Sequence, residues 1–100
     1  MAGMMKKAME MKAKVEQLRD SLEAETIEAS AGGGMVTVVV NGKFKVVSIR
    51  IEPEVVDKDG IDVLETLVRA AVNEAVDRMQ EHVKSRMSEI TGGLNIPGLT

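Results

Sequence analysis

Apolar residues recur along the first segment at alternating steps of three and four. Met1, Met4, Ala8, Met11, Val15, Leu18 and Leu22 form that series, with neither Pro nor Gly between Met4 and Leu22. The spacing predicts a helix over residues 1–24 with a coiled-coil-like seam. From residue 26 the period changes. Thr26 to Ala31 reads as a strand. Gly32, Gly33 and Gly34 follow, then the β-branched run Met35 to Val40, which favours a second strand. Asn41-Gly42 predicts a tight hairpin of type I′, with positive φ at both positions. The return strand is Lys43 to Ile51. There Val47, Ile49 and Ile51 alternate with Ser48 and Arg50, which predicts one buried and one wet face. Phe44 and Val46 have the opposite parity, so either both faces are partly covered or a bulge shifts the register.

Pro53 cannot donate to a ladder, and it suits the start of a short helical turn after a sheet spanning 26–52. A second helix is predicted over 60–91. Its apolar face includes Leu64, Leu67, Val68, Ala71, Val72, Ala75, Met79, Val83, Met87 and Ile90, and Asp59 is its expected N-cap. Gly92-Gly93 stops it and leaves an apolar-tipped tail over 92–100. The order predicts an α+β fold: a long N-terminal helix, a three-stranded antiparallel meander and a long C-terminal helix in one domain.

Composition changes the picture in two ways. The 100 residues hold eight Met and a single aromatic, Phe44. A core of Val, Ile, Leu, Ala and Met in so short a chain invites completion by a partner subunit. Cysteine is absent, which excludes disulfides and thiolate metal sites and fits a reducing compartment. The start of the chain has no apolar region behind its lysines, and no apolar run reaches membrane-spanning length. Both observations predict a cytoplasmic protein.

The residues give little support to catalysis. His82 is the only histidine, with no cysteine and no serine set beside it as a nucleophile; it reads as a surface or seam residue. The Asp57 to Asp62 segment superficially resembles a calcium loop. Aligned on Gly60, however, the first ligand position is Val55 and the terminal glutamate position is Thr66. The three glycines precede a strand, whereas a phosphate cradle leads into a helix. Phe44 alone cannot form a base-stacking platform, so it reads as packing area. A non-enzymatic protein without cofactor or metal is expected.

Charge leaves the remaining candidates. The net charge is −3, which counts against nucleic-acid binding, but the charges are segregated. Lys6, Lys7, Lys12, Lys14 and Arg19 outnumber Glu10, Glu16 and Asp20 in the first segment, and acid gathers from Glu52 to Glu65. A second basic set is Arg78, Lys84 and Arg86, interleaved with Asp77, Glu81 and Glu89.

Several blocks together resemble the YbaB/EbfC family. They are the small-residue entry Ala29 to Val36, the strand and turn Val38 to Lys43, and the strand and proline turn Val46 to Asp57. The helix stretch Leu64 to Ala75 and the tail Thr91 to Leu99 complete the resemblance over nearly the whole chain. It implies a homodimer, intertwined or paired through its sheets, with long helices projecting like tweezers. It also implies a bacterial nucleoid-associated protein that binds double-stranded DNA with low sequence specificity, organises the nucleoid and influences gene expression. DNA contact is then expected from Lys6, Lys7, Lys12, Lys14 and Arg19, with Arg78, Lys84 and Arg86. Dimerisation would double their number, so an acidic chain could still bind phosphates. Membrane and small-molecule partners are not expected. An alternative is a protein-interaction or holdase module using the Met-rich helices, although helices of roughly 30 Å, at about 1.5 Å per residue, are short beside those of prefoldin-like chaperones. A third reading lays the basic first helix on an anionic membrane surface.

Overall fold

The computed structural model describes residues 2–91. Met1 of the expected seam and the tail over 92–100 lie outside the described residues. Helix α1 spans Ala2–Leu22, and strands β1 (Thr26–Ala31), β2 (Val36–Asn41) and β3 (Val46–Ile51) follow. A short 3-10 turn at Pro53–Val55 leads to helix α2, Ile61–Thr91. The strands form an antiparallel sheet in the order β1-β2-β3. The expected α+β meander between two long helices is therefore what the chain adopts.

The core is one helix laid on two strands. Val36, Val38 and Val40 alternate along β2 and are fully buried, as are Ala71, Ala75 and Met79 on α2. Ala29 of β1 completes the cluster. Steps of four put the three α2 residues on one helix face. The two alanines let the helix approach the sheet closely, and Met79 fills the remaining volume.

The third strand departs from expectation. Every β3 residue is exposed, including Val46, Val47, Ile49 and Ile51. The cause is the span of α2, which packs on β1 and β2 and leaves the edge strand uncovered. The parity conflict resolves as a bulge: Val39 pairs with Ser48 and Val40 with Val46, so Val47 is the extra residue. The slip puts Val46 on the same sheet face as Ile49 and Ile51, beside buried Val40, Val38 and Val36.

The hairpin is also not of type I′. Asn41 and Gly42 lack positive φ, and Phe44 has φ 60°. The Phe44 N–H donates to the Asn41 carbonyl at 2.9 Å, and the Asn41 N–H donates to the Lys45 carbonyl at 3.0 Å. This is a three-residue loop, a turn followed by one left-handed residue. Asn41 Oδ1 holds it by accepting from the Lys43 and Lys45 N–H groups at 2.9 and 3.1 Å. Phe44 consequently stands exposed and supplies no core area. Gly42 is required by proximity: its N–H donates to the carbonyls of Leu22 and Glu25. A Cβ there would meet Leu22 Cβ and lie 2.6 Å from the Leu22 carbonyl oxygen. The hairpin tip is thus tied to the end of α1. Gly32, Gly33 and Gly34, by contrast, all have positive φ and form the tight β1–β2 connection.

At the start of α2, Asp57 replaces Asp59 as the organising residue. Its Oδ1 accepts from the Asp59 N–H at 3.0 Å, its carbonyl accepts from the Gly60 N–H, and Gly60 stands directly before the helix.

Candidate nucleic-acid interface

The molecule is a rod with a handle. Its extents are 68 × 22 × 16 Å, and its radius of gyration is 18.5 Å, against about 13 Å for a compact chain of this length. Past the sheet, α1 and α2 run side by side and antiparallel. Glu25 meets His82 near the sheet, and Lys14, Gln17 and Leu18 line a groove with Arg86, Glu89 and Ile90 further out. The seam expected from the sequence is covered only at its inner end. Leu22 and Leu18 are buried and Val15 is half-buried, while Met11 and Met4 are exposed.

The inner end is fastened by an ionic cluster. His82 Nε2 lies 2.7 Å from Glu25 Oε1, and Arg86 Nε lies 3.3 Å from the same oxygen. Arg86 Nε is buried without a directional hydrogen bond, so the second contact is chiefly coulombic. Ser21 Oγ reaches Glu25 Oε2 at 3.5 Å. The His82 hydrogen bond, followed by the charges of Arg86 and His82, holds the Glu25 carboxyl below its ordinary 4.5, against a desolvation that pulls upward. A depressed carboxylate contributes stability that is present above its unfolded value and lost as pH falls through the folded one. Glu25→Gln should therefore lower the urea midpoint at pH 7. The gap from the native protein should close as pH drops below 4.5; urea titrations at pH 7 and pH 3.5 measure it. His82, expected to be bland, is a structural fastener between α2 and the α1–β1 corner.

The basic candidates divide into two groups. Lys6, Lys7, Lys12, Lys14, Arg19 and Lys84 are exposed and have no ion-pair partner among the described residues. Arg78 and Arg86 are engaged. Arg78 pairs with Glu74 at 2.9 Å and donates from an η nitrogen to the Glu28 carbonyl on the β1 edge. Arg86 pairs with Glu25 and with Glu89. Lys43 of the hairpin, which sequence reasoning passed over, pairs with Glu23 at 3.3 Å.

Placement separates the signs. Between Ala2 and Lys14, on the outer half of α1, four lysines face Glu10 alone. Six carboxylates, at Glu52, Glu54, Asp57, Asp59, Asp62 and Glu65, stand against Lys58 at the other end of the sheet, where Glu52 bonds to Met35. Among the described residues no group of three His, Cys, Asp or Glu side chains could hold a metal ion, and no helix is long and apolar enough to cross a membrane.

A two-layer α+β body with an exposed edge strand and an outstretched basic helix defines a small binding-type protein. The sequence supplies the particular family: residues 1–94 match the profile of the YbaB/EbfC DNA-binding family, and the chain belongs to it. It is 51% identical over 97 residues to a nucleoid-associated protein of Thermoanaerobacter pseudethanolicus, an alignment covering 97% of this chain and 87% of that one. A nucleoid-associated protein of Alkaliphilus metalliredigens is 48% identical over 99 residues, covering 99% and 87%. In fold the chain is similar to the crystal structure of an uncharacterized protein from Helicobacter pylori. The TM-score is 0.71 at 22% identity, over 81% of this chain and 85% of the other.

Proposed function

We propose that this chain is a nucleoid-associated protein that binds double-stranded DNA as a homodimer with little sequence preference, and that it thereby organises the nucleoid and influences gene expression. The observation that carries this reading is the set of unpaired cations on the outer half of α1, held away from the acidic end. Lys6, Lys7, Lys12 and Lys14 can turn toward phosphates without breaking an existing ion pair; Arg19 and Lys84 are likewise exposed and without an ion-pair partner among the described residues. Arg78 and Arg86 would have to leave their carboxylates first and belong to a secondary set. Phosphate contacts give affinity and orientation without sequence information. Membership of a family described as DNA-binding supports the same reading.

The homodimer rests on β3. It is an edge strand with one ladder side open and with Val46, Ile49 and Ile51 exposed on the helix-side face. An exposed apolar edge of that kind is a template for pairing with a second chain. A second copy paired there would cover the strand that α2 does not reach and would set two basic arms on one particle.

Duplex affinity measured by fluorescence anisotropy at several salt concentrations tests the reading. The expected log–log slope is about −0.9 per phosphate contact, hence about −7 for eight lysines per dimer. Affinity that is indifferent to salt would contradict it. Met4, Met5 and Met9, 70–76% exposed, favour a second reading as a module that holds apolar protein segments. Suppression of a client's aggregation, lost on changing these residues to Ser, would support that reading, and no suppression removes it.

A further inference from the structure

We infer that the Met5–Met9–Ala13 face of α1 joins to the same face of a second molecule, the two helices running antiparallel about a two-fold axis at the level of Ala8. The contact is between protein chains alone, so it stands or falls apart from the DNA-binding reading.

This face is distinct from the seam with α2. At about 100° per residue, Met5, Met9 and Ala13 advance by only about 40° each and form one stripe. The buried Leu18 and Leu22 lie about 140–180° round the helix from Met9. Met5 and Met9 are each 70% exposed. Ala2, Met5, Lys6, Met9, Glu10 and Ala13 line an open groove along the stripe. Nothing described covers it, and methionine side chains adapt readily to a facing surface.

The charges beside the stripe select a second copy as its partner. Lys6 and Glu10 border it on one side, and Lys12 and Glu16 lie along the other. All four are exposed, and none has an ion-pair partner among the described residues. A uniformly acidic or basic partner would leave one sign unmatched, whereas a second copy matches both. A two-fold contact also requires that the pairing be reciprocal. Antiparallel helices bring like flanks together. With the axis at the level of Ala8, Lys6 stands opposite Glu10 of the second copy, and Glu10 opposite its Lys6. The same register sets Met5 between Met9 and Ala13 of the second copy, and Met9 between its Met5 and Met9, so the side chains interdigitate.

Lys7 and Lys14 stand about 140–160° from Met9, outside the joint and open to phosphates. A few helical turns per copy bury far less than the roughly 1,600 Å² of a standard stable interface, so free molecules associate weakly through this face. Molecules held on one duplex would meet at raised effective concentration, where a weak contact suffices.

Methyl NMR on the full chain, labelled at the methionine ε-methyl groups and followed from about 20 μM to about 1 mM, covers the range of weak association. The Met5 and Met9 signals should move with concentration while buried Met79 stays still. β3 lies on the sheet, away from this face, so pairing there does not imitate the effect. Lys6→Glu alone and Glu10→Lys alone each turn two attractions into two repulsions, and each should push the movement to about tenfold higher concentration. An equimolar mixture of the two variants restores two attractive pairs and should associate like the native chain. Met5 and Met9 signals that ignore concentration overturn the proposal and leave the face to a different protein. A mixture that behaves like either variant alone overturns it as well.

Discussion

Ile49→Lys together with Ile51→Lys should leave the chain folded and monomeric if it pairs through β3 as proposed. Both side chains stand on the edge strand, 47% and 37% exposed in the single chain, and neither belongs to the buried cluster that joins α2 to β1 and β2. Surface changes of this kind usually alter stability by no more than about 0.5 kcal/mol. In a dimer paired through β3 the same positions lie at the centre of the joint. Central apolar anchors there contribute about 2 kcal/mol each, so two lysines should weaken association about 1,000-fold at the usual 1.4 kcal/mol per decade. Light scattering should give a mass near 10.8 kDa in place of twice that value. The far-ultraviolet circular dichroism spectrum at room temperature should stay close to that of the native protein, while the melt should fall as the partner's contribution is lost. Duplex affinity should fall as well, because a monomer carries half the phosphate contacts. A variant that stays dimeric would place the interface elsewhere.

Changing Lys6, Lys7, Lys12 and Lys14 together to Glu should abolish duplex binding at moderate salt. Each lysine that meets a phosphate adds about one unit to the salt slope, and reversal replaces that attraction with repulsion. A loss of 1,000-fold or more is expected, about 4 kcal/mol. Unfolding is not expected to intervene. All four side chains are exposed and unpaired among the described residues. The first turn of α1 carries no carboxylate, so acid introduced near it suits the positive end of the helix. Size and helicity of the variant separate lost binding from lost fold.

The sequence disclosed local structure best where one residue type dictates backbone. Three consecutive glycines marked the β1–β2 connection, and the step of three and four marked α1. Features set by distant partners were hidden. Asn41-Gly42 signalled a hairpin, but the turn type depended on Leu22 and Glu25, whose carbonyls hold the Gly42 N–H. The alternation in β3 predicted a buried face, yet alternation does not say whether α2 reaches that face. Lys6 to Lys14 were legible as candidates because an exposed helix needs no distant partner to stay exposed. Arg78 and Arg86 looked equivalent to them, and only the fold brought Glu28 and Glu25 alongside. His82 could be read only as a surface or seam residue for the same reason: its carboxylate lies 57 positions away.

The most direct measurement is an NMR titration of the labelled protein with a duplex of mixed sequence, following backbone amides and lysine side chains. The predicted result is a set of shift changes concentrated on Lys6 to Lys14 and reaching toward Arg19 and Lys84, with the Glu52 to Glu65 region unmoved. Changes centred on the sheet or on the acidic end, with α1 silent, would contradict the placement of DNA on the basic arms.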